Sequence, residues 1–231
     1  MTITLITGAN KGLGNETARQ LVALGHTVYV GSRDPERGQA AAAEVGGTFI
    51  QLDVTDQSSV DAAAKTIQEA EGHLDVLVNN AGIQGGMPSP AELTADRLQA
   101  VYDVNVFGLV RVTQAFLPLL EASDAPVIVN IGSSLGSTTI VTDPARMESN
   151  LTLLDYASSK AAVIMLTVQY AKALPKLRIN VVEPGFTATD LNAHRGHQTV
   201  EEGTEIIVRM ATITPDGPTG TYQDRNGPLP W

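Results

Sequence analysis

Short apolar runs rich in β-branched residues alternate along the chain with amphipathic stretches of helical spacing. The runs occupy residues 2–7, 27–31, 48–52, 74–78, 127–131 and 178–182, and the amphipathic stretches 13–24, 36–45, 58–70, 95–120 and 156–174. The runs predict buried strands, and the stretches predict helices. Because alternating strands and helices are joined by right-handed crossovers, the pattern predicts an α/β fold: a doubly wound, mostly parallel sheet with helices on both faces.

The chain is predicted to form one domain over residues 1–231. Its 231 residues, 43% of them hydrophobic, suffice for one sizeable core, and neither an internal repeat nor a low-complexity linker divides them. Two polar, poorly periodic segments interrupt the alternation, at residues 136–155 and 187–203. Because irregular segments of this kind often carry function, we expect them to form walls or lids of a pocket.

Charge and composition argue against several function classes. The net charge of −10 would repel a phosphate backbone or an anionic membrane surface, so neither nucleic acid nor a membrane is an expected partner. The chain has no cysteine, which excludes disulfides, thiolate catalysis and cysteine-ligated metals, and no metal site is expected. Because the sequence has no basic leader and no continuous apolar run of membrane-spanning length, we expect a cytoplasmic protein.

A glycine-rich turn follows the first predicted strand and opens the first helix. It reads Thr7-Gly-Ala-Asn-Lys-Gly-Leu-Gly14, with the spacing G-x-x-x-G-x-G. Glycines let the backbone approach a ligand closely, and the positive end of the helix favours a pyrophosphate there. The turn is not a P-loop, because Lys11 is not followed by Ser or Thr, and this excludes a Walker-type ATPase. A turn that merely needs glycine is the alternative for this motif taken alone.

Four motifs together resemble the short-chain dehydrogenase/reductase family, nearest to its carbonyl-reductase-like, NADP(H)-dependent members. They are the glycine turn, Asn79-Asn80-Ala81-Gly82, Tyr156-Ala-Ser-Ser-Lys160 and Pro184-Gly185, in the family's order between residue 2 and about residue 190. The resemblance implies a Rossmann-type sheet of about seven strands with a nicotinamide dinucleotide along its carboxyl edge. It also implies a catalytic Asn, Ser, Tyr and Lys, which by position are Asn105, Ser134, Tyr156 and Lys160.

Tyr156 and Lys160 are spaced for proton transfer to an alkoxide. Hydride reduction of a ketone or aldehyde needs a proton donor with a pKa near neutrality, and a free phenol, with a pKa of about 10, is too weak an acid. Four residues apart on a helix, the two side chains share a face, so we expect the ammonium to lower the pKa of the phenol. The resemblance further implies that Lys160 binds the nicotinamide ribose and that Asn105 positions a water for proton relay. A Tyr and a Lys on a solvated helix face are the alternative.

The resemblance also implies a serine that holds the substrate oxygen. Ser133 and Ser134 both follow the strand over 127–131, and Ser134 is predicted because the second serine is the family's usual choice. The chain from Ser134 to Tyr156 is longer than the family usually has, so extra residues lie within 136–155. Apolar side chains there would wall a pocket for an apolar substrate, and they are Met147, Leu151, Leu153 and Leu154. A surface loop without substrate contact is the alternative.

Further cofactor contacts follow from the resemblance. They are Gly8, Asn10, Lys11, Gly12, Leu13 and Gly14 in the glycine turn; Ser32, Arg33, Asp53 and Val54 after the second and third strands; Asn80, Ala81 and Gly82; Tyr156 and Lys160; and Pro184, Gly185, Thr187 and Thr189. The last four resemble a clamp for the nicotinamide carboxamide. A capping or turn role is the alternative for Asp53, and plain turn chemistry is the alternative for Pro184 and Gly185.

The end of the second predicted strand distinguishes NAD from NADP, because the adenine ribose lies there. Enzymes that prefer NAD have an acid at the position that Ser32 occupies here; Arg33 follows it, and Lys11 adds a base in the glycine turn. A hydroxyl and a guanidinium bind a phosphate that a carboxylate would repel, so NADP(H) is the predicted cofactor. An inward-facing Asp34 would weaken this preference, and a capping role before Pro35 is its alternative.

Two other functions remain open. Gly132-Ser-Ser-Leu-Gly136 fits the G-x-S-x-G of α/β-hydrolases, and Asp190 and His194 or His197 follow in the order of an esterase triad. The β-branched residues and Pro144 that follow disfavour the helix such an elbow needs. The second alternative is a non-catalytic dinucleotide-binding protein, against which the intact Ser134, Tyr156 and Lys160 argue. By the family resemblance we also expect a homo-oligomer, a dimer or tetramer, formed through the helices predicted over 95–120 and 156–174.

Overall fold

An eight-stranded sheet runs through the computed structural model, which describes residues 1–231. Its strands are β1 (Ile3–Ile6), β2 (Thr27–Ser32), β3 (Thr48–Gln51), β4 (Val76–Asn79), β5 (Val127–Ile131), β6 (Arg178–Val182), β7 (Tyr222–Asp224) and β8 (Gly227–Pro228). Their order is β3-β2-β1-β4-β5-β6-β7-β8, and all neighbours are parallel except β7 and β8. The order reverses between β1 and β4, which confirms the predicted doubly wound α/β fold of Rossmann type.

Helices cover both faces of this sheet. They are α1 (Gly12–Ala23), α2 (Pro35–Val45), α3 (Gln57–Ala70), α4 (Ala95–Tyr102), α5 (Gly108–Glu121), α6 (Thr138–Thr142), α7 (Leu154–Ala173) and α8 (Val200–Ala211). On one face, Leu21 of α1, Val45 of α2 and Ile207 of α8 join the strands in one apolar cluster. On the other face, Ile67 of α3 and Phe116 of α5 do the same. The strands are thus buried on both sides, which explains their continuous apolar runs.

The structure departs from the sequence-based expectations in three helical regions and at the last two strands. The helix predicted over 95–120 contains a π-helical segment, Asp103–Phe107, between α4 and α5. Helix α6 forms within the segment 136–155, where the β-branched residues were expected to disfavour a helix, so that expectation was wrong for residues 138–142. Helix α8 was not predicted, and neither were β7 and β8. The capping box of α8 is readable in the sequence, since the Thr199 side chain accepts the N–H of Glu202 and the Glu202 side chain accepts that of Thr199. Part of the segment 187–203, predicted as irregular, therefore belongs to this helix.

One helix is long and apolar enough to cross a membrane by length and composition alone. It is Ala95–Glu121, with 27 residues and a mean hydropathy of 1.2 in its most apolar window. The helix is not a continuous apolar run, since Asp103 and Arg111 interrupt it. Half of that window is buried inside the fold, and the core helix of a globular protein meets the same criterion.

Candidate active site

The glycine turn between β1 and α1 is closely packed against the end of β4. Gly8 and Gly12 have φ values of +61° and +57°, a region that favours glycine. A Cβ at Gly14 would lie 2.5 Å from Nδ2 of Asn80 and 2.8 Å from the carbonyl oxygen of Gly8. Asn80 Nδ2 itself donates to the carbonyl oxygens of Thr7, at 2.9 Å, and Gly8, at 3.1 Å. Asn80 therefore holds the glycine turn through its side-chain hydrogen bonds. Because the turn is rich in glycine, few side chains cover its backbone.

The N-terminus of α1 fits an anionic group. Its N-cap residue, Lys11, makes no side-chain hydrogen bond to the first turn of the helix, so the backbone N–H groups there have no capping side chain. Such groups, together with the helix dipole, bind phosphates. The Lys11 ammonium pairs with the Asp190 carboxylate at 2.8 Å, and both side chains are more than half exposed. An exposed pair of this kind is weak, so it leaves the ammonium free to exchange partners.

At the end of β2 the Arg33 side chain is exposed to solvent, whereas the Asp34 carboxylate is hydrogen-bonded within the chain. The side chain of Asp34 accepts the N–H of Arg37 at 3.1 Å as the N-cap of α2, and it lies 3.4 Å from the Arg37 guanidinium. The buried Ser32 hydroxyl donates to the Asp34 carbonyl oxygen at 3.0 Å. Arg33 is exposed and forms no ion pair. Asp34 thus has the capping role, while the Arg33 guanidinium is unengaged.

Asp53, expected at the adenine, makes a local turn. Its carboxylate accepts the backbone N–H of Thr55 at 2.9 Å and the Thr55 hydroxyl at 2.7 Å. The turn role that the sequence left open for this residue is therefore present in the structure.

Asn105 lies in the π-helical segment and is buried. Its Oδ1 accepts the N–H of Ile83 at 2.8 Å, and its Nδ2 donates to the carbonyl oxygen of Ile83 at 2.9 Å and to the Ser159 hydroxyl at 3.0 Å. A π-helical turn of this kind is frequent at functional sites. A cavity of about 10 Å³, lined by Asn79, Asn105 and Lys160 among others, lies beside it. This is about the space that one water needs, and Oδ1 of Asn79 is buried there without a hydrogen-bond partner.

Tyr156 and Lys160 share one face of α7 at the carboxyl end of β5. The Lys160 ammonium lies 5.6 Å from the centroid of the Tyr156 ring. It also donates to the carbonyl oxygen of Ile131, the last residue of β5, at 2.7 Å. Because Lys160 is buried, this bond fixes its position at the edge of the sheet.

The ionisation of this pair differs from the expectation drawn from its spacing. Burial raises the pKa of Tyr156 above its usual value, the charge of the Glu183 carboxylate raises it further, and the nearby Ser133 hydroxyl acts in the opposite direction. Burial lowers the pKa of Lys160 to about 8, while the charge of Glu183 opposes that change. The predicted lowering of the Tyr156 pKa by Lys160 is therefore not found, because burial disfavours both charged forms.

The two serines after β5 point to different partners. Ser133 continues the extended backbone of the strand, with φ of −167° and ψ of 145°, and its hydroxyl lies close enough to Tyr156 to act on the pKa of the phenol. The same hydroxyl oxygen accepts the N–H of Leu135 at 3.3 Å. Ser134 begins a 3-10 turn, Ser134–Gly136, and its side chain lies near Glu148, where it contributes to lowering the pKa of that carboxyl. In the structure Ser133 is thus the serine beside Tyr156, the position that the sequence analysis gave to Ser134, because the backbone stays extended through Ser133 and the 3-10 turn begins at Ser134.

Glu183 is a polar residue of this site that the sequence analysis missed. It follows β6 directly and is partly buried, and its Oε1 accepts the N–H of Gly185 at 3.0 Å. Its Oε2 accepts the N–H of Ser134. Burial raises the pKa of Glu183 to about 7, against the effect of these hydrogen bonds and of Lys160. The signal in the sequence is a single Glu between an apolar strand and Pro184.

The segment after β6 is folded back on itself. Gly185 has a φ of +81°. The buried Thr187 hydroxyl lies 3.3 Å from the carbonyl oxygens of both Pro184 and Gly185, and Thr189 lies against Gly12 of the glycine turn, 3.6 Å from a Cβ built there. The segment therefore closes one side of the space above the glycine turn.

The segment between β5 and α7 contributes less apolar wall than expected. Leu153 is buried in the fold, whereas Met147 and Leu151 are 62% and 45% exposed. A 3-10 turn, Met147–Asn150, brings Glu148 to Ser134, and Glu148 pairs with Arg146 at 3.2 Å.

The geometry disfavours an esterase triad at Ser134. No histidine hydrogen-bonds to this serine, and the N–H of the next residue, Leu135, which an oxyanion hole would use, donates to the Ser133 hydroxyl at 3.3 Å. His194 instead pairs with Asp190 at 2.8 Å, and Asp190 binds Lys11 at the glycine turn. His194 and Asp190 therefore belong to the neighbourhood of the glycine turn.

Comparisons with known proteins agree with one another. The family model of short chain dehydrogenases matches residues 2–200. Short-chain dehydrogenase anuI of Penicillium roqueforti is 39% identical over 91% of this chain and 88% of its own length. Salutaridine reductase of Papaver bracteatum is 30% identical over 97% of this chain and 94% of its own. The solved structure of NADPH-bound carbonyl reductase from chicken fatty liver has a TM-score of 0.87 and 26% identity, and the alignment covers all of both chains.

Proposed function

The chain belongs to the short-chain dehydrogenase family, and from that premise we propose that it is an NADP(H)-dependent oxidoreductase that interconverts a ketone or aldehyde and an alcohol. The observation that carries the proposal is the meeting of Tyr156, Lys160 and a serine hydroxyl at the carboxyl end of β5, next to the glycine turn. This supports a carbonyl-reductase-type enzyme.

Each residue of the site has a separate role in the proposed carbonyl reduction. When bound, NADPH supplies the hydride that reduces the carbonyl carbon. Tyr156 donates its phenol proton to the carbonyl oxygen. Ser133 holds the carbonyl oxygen by a hydrogen bond. The Lys160 ammonium, present below pH of about 8, stabilises the phenolate that remains.

The chain offers groups that fit each part of the dinucleotide. The uncapped N-terminus of α1 suits the pyrophosphate, and Lys160 suits the nicotinamide ribose. Arg33 suits a phosphate on the adenine ribose, with Lys11 as a second cation. Asn105 and the cavity beside Lys160 suit a proton relay through one water. We further propose an apolar small-molecule substrate, a homo-oligomer and a cytoplasmic location, as expected from the sequence.

A carbonyl-substrate screen tests the proposal. Wild-type protein is mixed with NADPH and a panel of small ketones and aldehydes, and the loss of NADPH absorbance is followed. Oxidation of NADPH that depends on the carbonyl compound is the expected result. Ester hydrolysis without nicotinamide would instead support the esterase, and NADPH binding without oxidation would support a non-catalytic protein.

Exchanging the groups at the end of β2 should abolish the preference for NADPH. We expect wild-type kcat/KM to be tenfold to several hundredfold higher with NADPH than with NADH, since each charged hydrogen bond contributes about 1.5 to 3 kcal/mol. Ser32→Asp combined with Arg33→Ala should abolish that ratio, because a carboxylate replaces the phosphate-binding groups. Arg37→Ala is the matched comparison, with a smaller expected change because Asp34 already engages that guanidinium. Equal use of NADH by the wild type would contradict the assignment.

The two serines provide a second test of the site. Ser133→Ala should lower kcat for carbonyl reduction by about tenfold or more, because a hydrogen bond to the developing oxyanion is lost. Ser134→Ala should have the smaller effect, because its side chain is directed to Glu148. Steady-state kinetics of both variants, with the same substrate, give the ranking; the opposite ranking would return the role to Ser134.

A further inference from the structure

Glu183 is an ionisable group beside the candidate active site that the proposed reaction does not use. Its two carboxylate oxygens accept backbone N–H groups from two different turns, that of Ser134 and that of Gly185. The first turn leaves β5 and carries Ser133, and the second leaves β6 and carries residues 184–189. Because β5 and β6 are adjacent parallel strands, the carboxylate joins the two strand ends across the edge of the sheet. A side chain held at both oxygens is fixed in position.

The charge of Glu183 also acts on the ionisable groups of α7. It raises the pKa of Tyr156, as the largest contribution after burial, and it opposes the lowering of the Lys160 pKa. The other titratable groups around it are Glu148, whose charge raises the pKa of Glu183, and the buried Tyr222 of β7. Lys160 is the cation among them. The carboxylate therefore favours the protonated form of both groups on α7.

On the basis of the proposed function, we propose that Glu183 is a positioning residue for carbonyl reduction, because its carboxylate holds the turn that carries Ser133 and the turn over residues 184–189 together at the site of Tyr156 and Lys160. Protonated tyrosine is the form that donates to a carbonyl oxygen. Removal of a negative charge makes both Tyr156 and Lys160 lose their protons at lower pH. The two effects have the same sign, so the expected shift does not depend on which group limits the rate at alkaline pH.

The pH profile of Glu183→Gln tests the role of the charge. Glutamine keeps the length of the side chain and loses its charge, so the alkaline limb of kcat/KM for carbonyl reduction should move about one pH unit lower. Glu183→Asp keeps the charge but is one methylene too short to span both amides, so kcat should fall while the limb stays in position. Glu148→Gln is the matched control, and its alkaline limb should stay in the wild-type position. Glu183 is ionised in that pH range whether or not Glu148 is present.

Amide hydrogen exchange, measured by NMR, tests whether Glu183 holds the two turns, and it does not require turnover. Glutamine has one acceptor oxygen, so in Glu183→Gln the N–H of Ser134 or of Gly185 should exchange about tenfold faster than in the wild type. A wild-type protein that reduces no carbonyl compound would contradict the proposed function. The exchange rates would still show whether Glu183 holds the two turns. An alkaline limb that does not move in Glu183→Gln, or wild-type exchange rates at both amides, would overturn this proposal.

Discussion

Tyr156→Phe should lower the rate of carbonyl reduction by about a hundredfold or more while changing the affinity for NADPH by only a few fold. The substitution removes the one hydroxyl that can donate the proton, and loss of a general acid typically has an effect of this size. The ring remains, and so does the hydrogen bond from Lys160 to Ile131, which does not involve the phenol. Steady-state kinetics and a fluorescence titration with NADPH measure the two quantities separately.

Tyr170→Phe is the matched control for this variant. Tyr170 lies on the same helix, about four helical turns closer to its C-terminus. It packs against the apolar cluster that contains Ile67 and Phe116. We expect near-wild-type rates from it, because its hydroxyl is not part of the candidate site. Activity of Tyr156→Phe close to that of the wild type would exclude Tyr156 as the acid.

The parts of the fold and site that follow from local patterns were readable in the sequence. Six strands were predicted from their apolar runs, and the glycine turn and the Tyr156–Lys160 pair from their spacing. These features depend on residues within one turn or one strand. Helix α8 also has such a signal, the capping box at Thr199 and Glu202, but its position next to an irregular segment obscured it.

What the sequence did not reveal depends on contacts between distant segments. The choice between Ser133 and Ser134 depends on the residue at which β5 ends and the 3-10 turn begins. The raised pKa of Tyr156 depends on its burial and on Glu183, a residue that reaches the site from the next strand of the sheet. Hydrophobic periodicity and short motifs carry no information on contacts between distant segments. The family resemblance supplied the residue types but left the orientation of their side chains open.

Lys160→Met should reduce both turnover and cofactor binding, in contrast to Tyr156→Phe. The ammonium is assigned to the phenolate and to the ribose, and loss of a charged hydrogen bond of about 1.5 to 3 kcal/mol corresponds to roughly tenfold to a hundredfold weaker binding of NADPH. Methionine has a similar length, but it leaves the buried carbonyl oxygen of Ile131 without its donor, so the variant should also be less stable to urea. Lys172→Met, an exposed lysine on the same helix, is the control, and it should resemble the wild type in all three measurements.

The pH dependence of the same variant gives the sharper result. Since burial lowers the pKa of Lys160 to about 8, the ammonium is present at pH 7 and is lost as the pH rises through that value. The wild-type rate of reduction should therefore fall above a pH of about 8, and the residual rate of Lys160→Met should not show this fall. An identical alkaline limb in the two proteins would mean that Lys160 does not set it, and the fall would then belong to Tyr156 or to another group of the site.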